Sequence, residues 1–253
     1  MTLRISANLG FLFTDRSLPD AIHAAALAGF DAVEMHWPFA TDPAEVRAAL
    51  SETGLPLLAV NTPRGDVGAG DFGLCALPGR TDEARAAIDL ALDWAAEAGA
   101  GALHLMAGRA APGAEADAAF LASIAHAQAR AEPLGIMLLI EPLNPIDAPG
   151  YHLSSLALAR GIRARSGDTV CLMFDCYHLA RLGEDLLAAF AADRDAIGHV
   201  QFAAVPDRTE PDHGTVDYPR LLPLLAQAGY DGYFGAEYRP ATGDLAWLAQ
   251  LRG

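Results

Sequence analysis

Lysine is missing from this chain. All 17 basic residues are arginines, set against 32 acidic ones, so the 253 residues carry a formal charge of −15. No lysine means no Schiff-base aldolase chemistry, no lysine-held pyridoxal phosphate and no P-loop lysine. So acidic a chain repels phosphate backbones, which argues against nucleic acid as a partner. Cysteine is scarce as well. Cys75, Cys171 and Cys176 show no CxxC spacing, and on one strand Cys171 and Cys176 would point to opposite faces. They read as reduced core thiols of a cytoplasmic protein. No apolar run reaches the ~20 residues that span a bilayer, and Met1-Thr2-Leu3-Arg4 does not open a signal peptide, so no membrane role is expected.

What is present is a regular alternation. Short apolar runs lie at Leu3–Asn8, Ala32–Met35, Pro56–Asn61, Ala102–Met106, Ile136–Glu141, Val170–Asp175, Ile197–Phe202 and Tyr233–Glu237, with Ala/Leu-rich helical stretches between them. That makes units of about 32 residues, the size of one βα repeat. Asp42-Pro43 with Glu45 marks a helix start, and Gly29, Gly54, Gly135 and Gly229 each follow a helical stretch. The runs are apolar on both faces, as a helix-covered parallel sheet requires. No linker divides the chain. The expectation is a single (β/α)₈ TIM barrel over residues 1–253. An open doubly wound sheet would need a glycine-rich phosphate turn after its first strand, and Asn8-Leu9-Gly10-Phe11 is not one. Two long loops, Asn61–Arg80 and Ala203–Asp217, would overhang the barrel mouth.

The residues ending these runs carry the chemistry. They are Asn8, Glu34 with His36, Asn61, His104 (just inside the fourth run), Glu141, Asp175, Gln201 and Glu237. Glu141, Asp175 and Glu237 would repel one another in a dry pocket, and the arginines lie in loops and helices. A divalent cation is the economical counter-charge. Three carboxylates and the Gln201 amide oxygen form an all-oxygen set suited to Mg²⁺ or Mn²⁺ rather than zinc. His178, in the loop after Asp175, is placed to reach a substrate. Arg208 is a candidate clamp for an anion, and Asn8 and His104 face the same mouth. Glu34 and His36 remain open between site and core. Phe11 and Trp37 are candidates for an apolar wall. His23, His126, His152, His199 and His213 read as structural or solvated.

With these residues in view, the chain resembles the hydroxypyruvate isomerase family within the xylose-isomerase-like TIM barrels. The resemblance rests on Ser6-Ala7-Asn8-Leu9, Asn61-Thr62-Pro63-Arg64-Gly65-Asp66, Pro78-Gly79-Arg80, Ile140-Glu141-Pro142-Leu143-Asn144, Pro149-Gly150-Tyr151-His152-Leu153, Asp175-Cys176-Tyr177-His178, Gly198-His199-Val200-Gln201-Phe202-Ala203, Arg208-Thr209-Glu210-Pro211 and Gly235-Ala236-Glu237-Tyr238. It implies that Glu141, Asp175, Gln201 and Glu237 bind the cation and that Glu141 and Glu237 are the acid/base pair. The implied reaction is aldose–ketose isomerisation of a small hydroxy-oxo acid, hydroxypyruvate to tartronate semialdehyde being the family's case. A 2-oxo-tetronate isomerase or a ketose epimerase would use the same enediolate. An endonuclease IV-like phosphodiesterase and a sugar-acid-binding barrel without turnover are the rivals. A homo-oligomer is compatible with the sequence. Ala204, Asp212 and Thr215 depart from the family pattern in the loop after the seventh run, and Phe72 stands where an arginine is usual.

Overall fold

The computed structural model describes residues 2–252. Eight parallel strands make one sheet: β1 Ile5–Asn8, β2 Ala32–Glu34, β3 Ala59–Asn61, β4 Ala102–His104, β5 Met137–Ile140, β6 Val170–Asp175, β7 Ile197–Phe202 and β8 Phe234–Ala236. Hydrogen-bonded order runs β2-β1-β8-β7-β6-β5-β4-β3, which leaves β2 and β3 as the seam. The seam is bonded too. Val33 N donates to Pro56 O at 3.0 Å, Leu58 N to Val33 O at 2.8 Å, Met35 N to Ala59 O at 3.0 Å and Asn61 N to His36 O at 2.9 Å. The strands therefore wrap into the expected TIM barrel.

Helices α1 Leu18–Ala28, α2 Pro43–Thr53, α3 Thr81–Ala98, α4 Ala114–Ala131, α5 Leu156–Ser166, α6 Cys176–Arg181, α7 Leu186–Asp193, α8 Tyr218–Gln227 and α9 Ala246–Arg252 form the outer layer. The N-cap expected at Asp42 is present: its carboxylate accepts from Ala44 N, and Pro43 opens α2. Gly29 and Gly54 end α1 and α2 in the left-handed region. Most strands are a residue or two shorter than their apolar runs. The sequence predicts one helix between the sixth and seventh runs; the chain forms two. The first, α6, follows β6 without a loop, because Asp175 caps it: Oδ1 accepts from Tyr177 N at 2.7 Å. Cys176 is thus helical and not a strand neighbour of Cys171, and the three thiols are free. Among the described residues no helix is long and apolar enough to cross a membrane.

The main core lies between strands and helices. Within the barrel the apolar filling is small: Ala59, Ala102, Leu139 and Met173 with Cys171 packed against them. A polar core joins it. Glu34 sits there, 2% exposed, receiving Ser6 Oγ at 2.9 Å, His199 Nε2 at 3.0 Å and Gln201 Nε2 at 2.7 Å. Gly235 makes room for this knot, since a Cβ there would lie 2.1 Å from Glu34 Oε1.

Candidate active site

The strand ends converge on a cavity of about 240 Å³ whose lining includes His36, Asn61, His104, Glu141, His178, Arg208 and Glu237. Phe11, Trp37, Phe72, Met106 and Leu143 supply apolar walls, and Arg64, Asp147 and Arg239 complete the polar rim. Beneath it lies a second space of about 10 Å³, bordered by Asn8, Asn61, His104, Glu141, Gln201 and Glu237 among others. That is room for one water-sized occupant.

Each of these residues is fixed by its element. Asp175 and Gln201 are register partners on β6 and β7. Asp175 divides its carboxylate: Oδ1 caps α6, and Oδ2 is buried without a hydrogen bond. Gln201 is oriented from below, because Glu34 accepts one hydrogen bond from its Nε2, which leaves Oε1 buried and unpartnered. Glu141, directly after β5, has a buried, unpartnered Oε1 as well. Three of the four oxygen donors expected from the sequence thus carry an unsatisfied oxygen, although buried polar atoms are normally paired. This donor set fits a hard divalent cation.

Glu237 differs. Its Oε1 meets His36 Nε2 at 2.8 Å and Arg208 Nη2 at 3.2 Å. Arg208 Nη2 also lies 3.7 Å from Asp175 Oδ2. The expectation that loop arginines leave these carboxylates without an internal cation is corrected here. Arg208 is 8% exposed and turned inward from the loop after β7. It adopts φ +60°, a left-handed backbone that non-glycine residues rarely hold. Its carbonyl accepts from Arg239 N at 2.7 Å, and Glu210, two residues on, accepts from the backbone of Ala241, Thr242 and Gly243. The loops after β7 and β8 are one fastened unit.

These surroundings push the carboxyls apart. Burial, with the charges of Glu237 and Asp175, raises Glu141 well above the usual carboxylate range. Burial carries Asp175 up to about 7, outweighing the Arg208 charge and the α6 amides. Glu237 is equally starved of water, yet the Arg208 charge and the His36 hydrogen bond prevail and hold it at about 2. Arg208 rises above its ordinary value: burial opposes its charge, but Glu237, Asp175 and Glu141 outweigh it.

His178 contributes one more group. Ligand atoms of Glu141, Asp175 and His178 lie within 4.8 Å of one another, so a histidine ligand has to be considered. The hydrogen bonds argue against it. His178 Nδ1 accepts from Asn144 N at 3.1 Å, and burial drives the ring down to about 3, so it is neutral. The proton therefore sits on Nε2, 3.6 Å from Asp175 Oδ2, where it is a donor and not a ligand. His104, also pushed down, to about 4, by burial, places Nδ1 3.3 Å from Asn61 Oδ1 and ends β4 rather than sitting inside it.

Every residue singled out from the sequence for the site except Asp175 therefore lines the cavity or its floor, and Asp175 lies just behind it, its Oδ2 3.7 Å from Arg208 Nη2 and 3.6 Å from His178 Nε2. Asn8 is the most structural of them, since its Oδ1 accepts from Gly10 N at 2.9 Å. Glu34 and His36, left open by the sequence, hold Gln201 and Glu237. Asp147 and Arg239 had no signal, and Arg64 stood only within the Asn61–Asp66 motif with no role given to it; they are loop residues whose convergence depends on closure of the barrel. Ala204, Asp212 and Thr215 do not line the cavity. Of the remaining histidines, His23, His126 and His213 pair with surface carboxylates, while His152 and His199 are buried.

Residues 22–251 match the family model described as xylose isomerase-like TIM barrel. A 2-oxo-tetronate isomerase of Cupriavidus necator is 38% identical, with 98% of this chain and 97% of that protein covered. A putative hydroxypyruvate isomerase of Homo sapiens is 37% identical, covering 99% and 94%. A crystal structure described as AP endonuclease, family 2, from Brucella melitensis superposes with a TM-score of 0.94 at 34% identity, each chain fully covered.

Proposed function

The chain belongs to the xylose isomerase-like TIM barrels, among the hydroxypyruvate and 2-oxo-tetronate isomerases, and from that membership we propose that it is a divalent-metal-dependent aldose–ketose isomerase of a three- or four-carbon hydroxy-oxo acid. The observation that carries this reading is the placement of Glu141 and Glu237 in the lining of one small cavity, beside the unsatisfied oxygens of Asp175 and Gln201. Glu237, kept ionised by Arg208 and His36, is the base that takes a proton from the carbon beside the substrate carbonyl. Glu141, on the other wall of the cavity, returns a proton to the neighbouring carbon. The intermediate between them is an enediol. His178 Nε2–H and the free Nε–H of Arg208 are donors for the substrate's oxygens.

Glu141, Asp175, Gln201 and Glu237 are the residues that would hold Mg²⁺ or Mn²⁺. Such an ion, when bound, supplies Lewis acidity that lowers the energy of the developing oxyanion. Phe11, Trp37 and Phe72 keep water from the proton in transit.

The similarity to the Brucella AP endonuclease structure raises a phosphodiesterase reading. A formal charge of −15 and a cavity of about 240 Å³ suit a small molecule better than a duplex. The test is proton NMR in D₂O with Mn²⁺-loaded protein, hydroxypyruvate and 2-oxo-tetronate being supplied in turn. Deuterium entering one carbon, with growth of the aldehyde isomer from hydroxypyruvate or of the 3-oxo isomer from 2-oxo-tetronate, is the expected result. No exchange with either acid, together with cleavage of an abasic duplex, would overturn the reading.

A further inference from the structure

Three arginines line the cavity, and they are not equivalent. Arg208 is held by Glu237 and Asp175. Arg239 is exposed at the rim, 5.6 Å from the Phe11 ring. Arg64 is half-buried in the wall, its guanidinium 3.8 Å from the centroid of Trp37, and among the described residues that guanidinium has no hydrogen-bond or ion-pair partner. Its platform is rigid. Trp37 Nε1 donates to Met106 Sδ at 3.3 Å, and the indole packs on His36, whose far nitrogen holds Glu237. The Arg64 backbone is pinned as well, its carbonyl accepting from Gly73 N at 2.9 Å. Stacking leaves a guanidinium's edge donors free and reduces its hydration, which suits two parallel bonds to a carboxylate.

Phe72 lies on the same loop and lines the same cavity. It is the position where an arginine is expected, and its ring can grip no anion. We propose that Arg64 is the specificity-determining residue of this site: its Trp37-stacked guanidinium receives the substrate's carboxylate and selects a small acid over a neutral ketose. This rests on the isomerase reading and adds to it the group that reads the acid.

The test compares kcat/KM for hydroxypyruvate with that for dihydroxyacetone, its counterpart with a hydroxymethyl in place of the carboxylate. It also measures the Kd of tartronate, an unreactive acid, by calorimetry on the Mn²⁺-loaded protein. Arg64→Ala should lower the acid-to-neutral ratio and weaken tartronate about ten- to a hundredfold, the worth of a hydrogen bond to a charged group. Arg64→Lys should restore part of both. Arg109→Ala is the control. It removes an equal charge from the arginine 5.3 Å from the Phe72 ring, outside the cavity lining, and should leave the ratio within about twofold. Equal losses on both substrates, or an unchanged tartronate Kd, would overturn the proposal. If wild-type protein turns over neither substrate, the isomerase reading falls, and the tartronate measurement still decides the role of Arg64.

Discussion

Gln201 Nε2 donates to Glu34 Oε2 at 2.7 Å, and this one bond decides which end of the Gln201 amide faces the cavity. A carboxylate can only accept, so the amide hydrogens turn down and the oxygen turns up. Glu34 thereby orients Gln201, the proposed cation ligand, while lying outside the proposed cation's own donor set. Glu34→Ala should weaken Mn²⁺ binding about ten- to a hundredfold, the usual effect of removing such a support. Calorimetric titration at a temperature where circular dichroism reports folded protein is the measurement. An unchanged affinity would return Glu34 to a purely structural role.

Glu141→Gln and Glu237→Gln should each reduce kcat at least ~10²-fold, the low end of what a positioned acid or base contributes. The amide keeps an oxygen for the cation but cannot accept the proton. Steady-state kinetics paired with metal analysis separates the two roles. Near-normal turnover at unchanged metal content would remove that residue from the proton transfer.

The metal-free protein should be less stable at pH 8 than at pH 5. Asp175 titrates at about 7 in the folded chain against an ordinary ~3.9, so its contribution is complete below pH ~4 and lost as the pH climbs through 7. Glu141 is shifted in the same direction. Glu237 acts at the other end: held at about 2, it stabilises above pH ~4.3, and that stability is lost as the pH falls toward 2. Bound Mn²⁺ replaces the missing protons, so its increment in Tm should be larger at pH 8 than at pH 5. Thermal scans with chelator and with Mn²⁺ at both pH values check this. An increment independent of pH would place the cation elsewhere.

Arg208→Ala should change the pH–rate profile as well as the rate. The guanidinium keeps Glu237 ionised; without it, burial is opposed only by His36 and the remaining weaker neighbours. The acidic limb of kcat/KM should move up by about one unit or more, alongside a loss of at least ~10-fold at pH 7. A uniform loss with an unmoved profile would mean that Arg208 contacts substrate only.

The barrel was legible because strand and helix periods alternate over the whole chain and glycine closes several of the helices. Glu141, Asp175, Gln201 and Glu237 were legible because a barrel turns the ends of its strands toward one mouth. Arg208 was found, but not its inward direction, since a left-handed residue in a loop leaves no periodic trace. Helix α6 was missed for a related reason. Asp175 reads as a ligand alone, and a residue that caps with one oxygen and keeps the other buried and unbonded looks the same in the sequence. Arg64 was invisible as a site residue, because only closure of the barrel brings it against Trp37.

The fastening of the loops after β7 and β8 changes when disorder is given up. Ordering a long arginine side chain ordinarily opposes binding by about 2 kcal/mol of lost rotamer entropy. Here Glu210 grips residues 241–243, Arg239 N–H holds the Arg208 carbonyl, and the guanidinium already lies on Glu237. That entropy is surrendered when the chain folds, so an arriving substrate meets a guanidinium with no freedom left to lose.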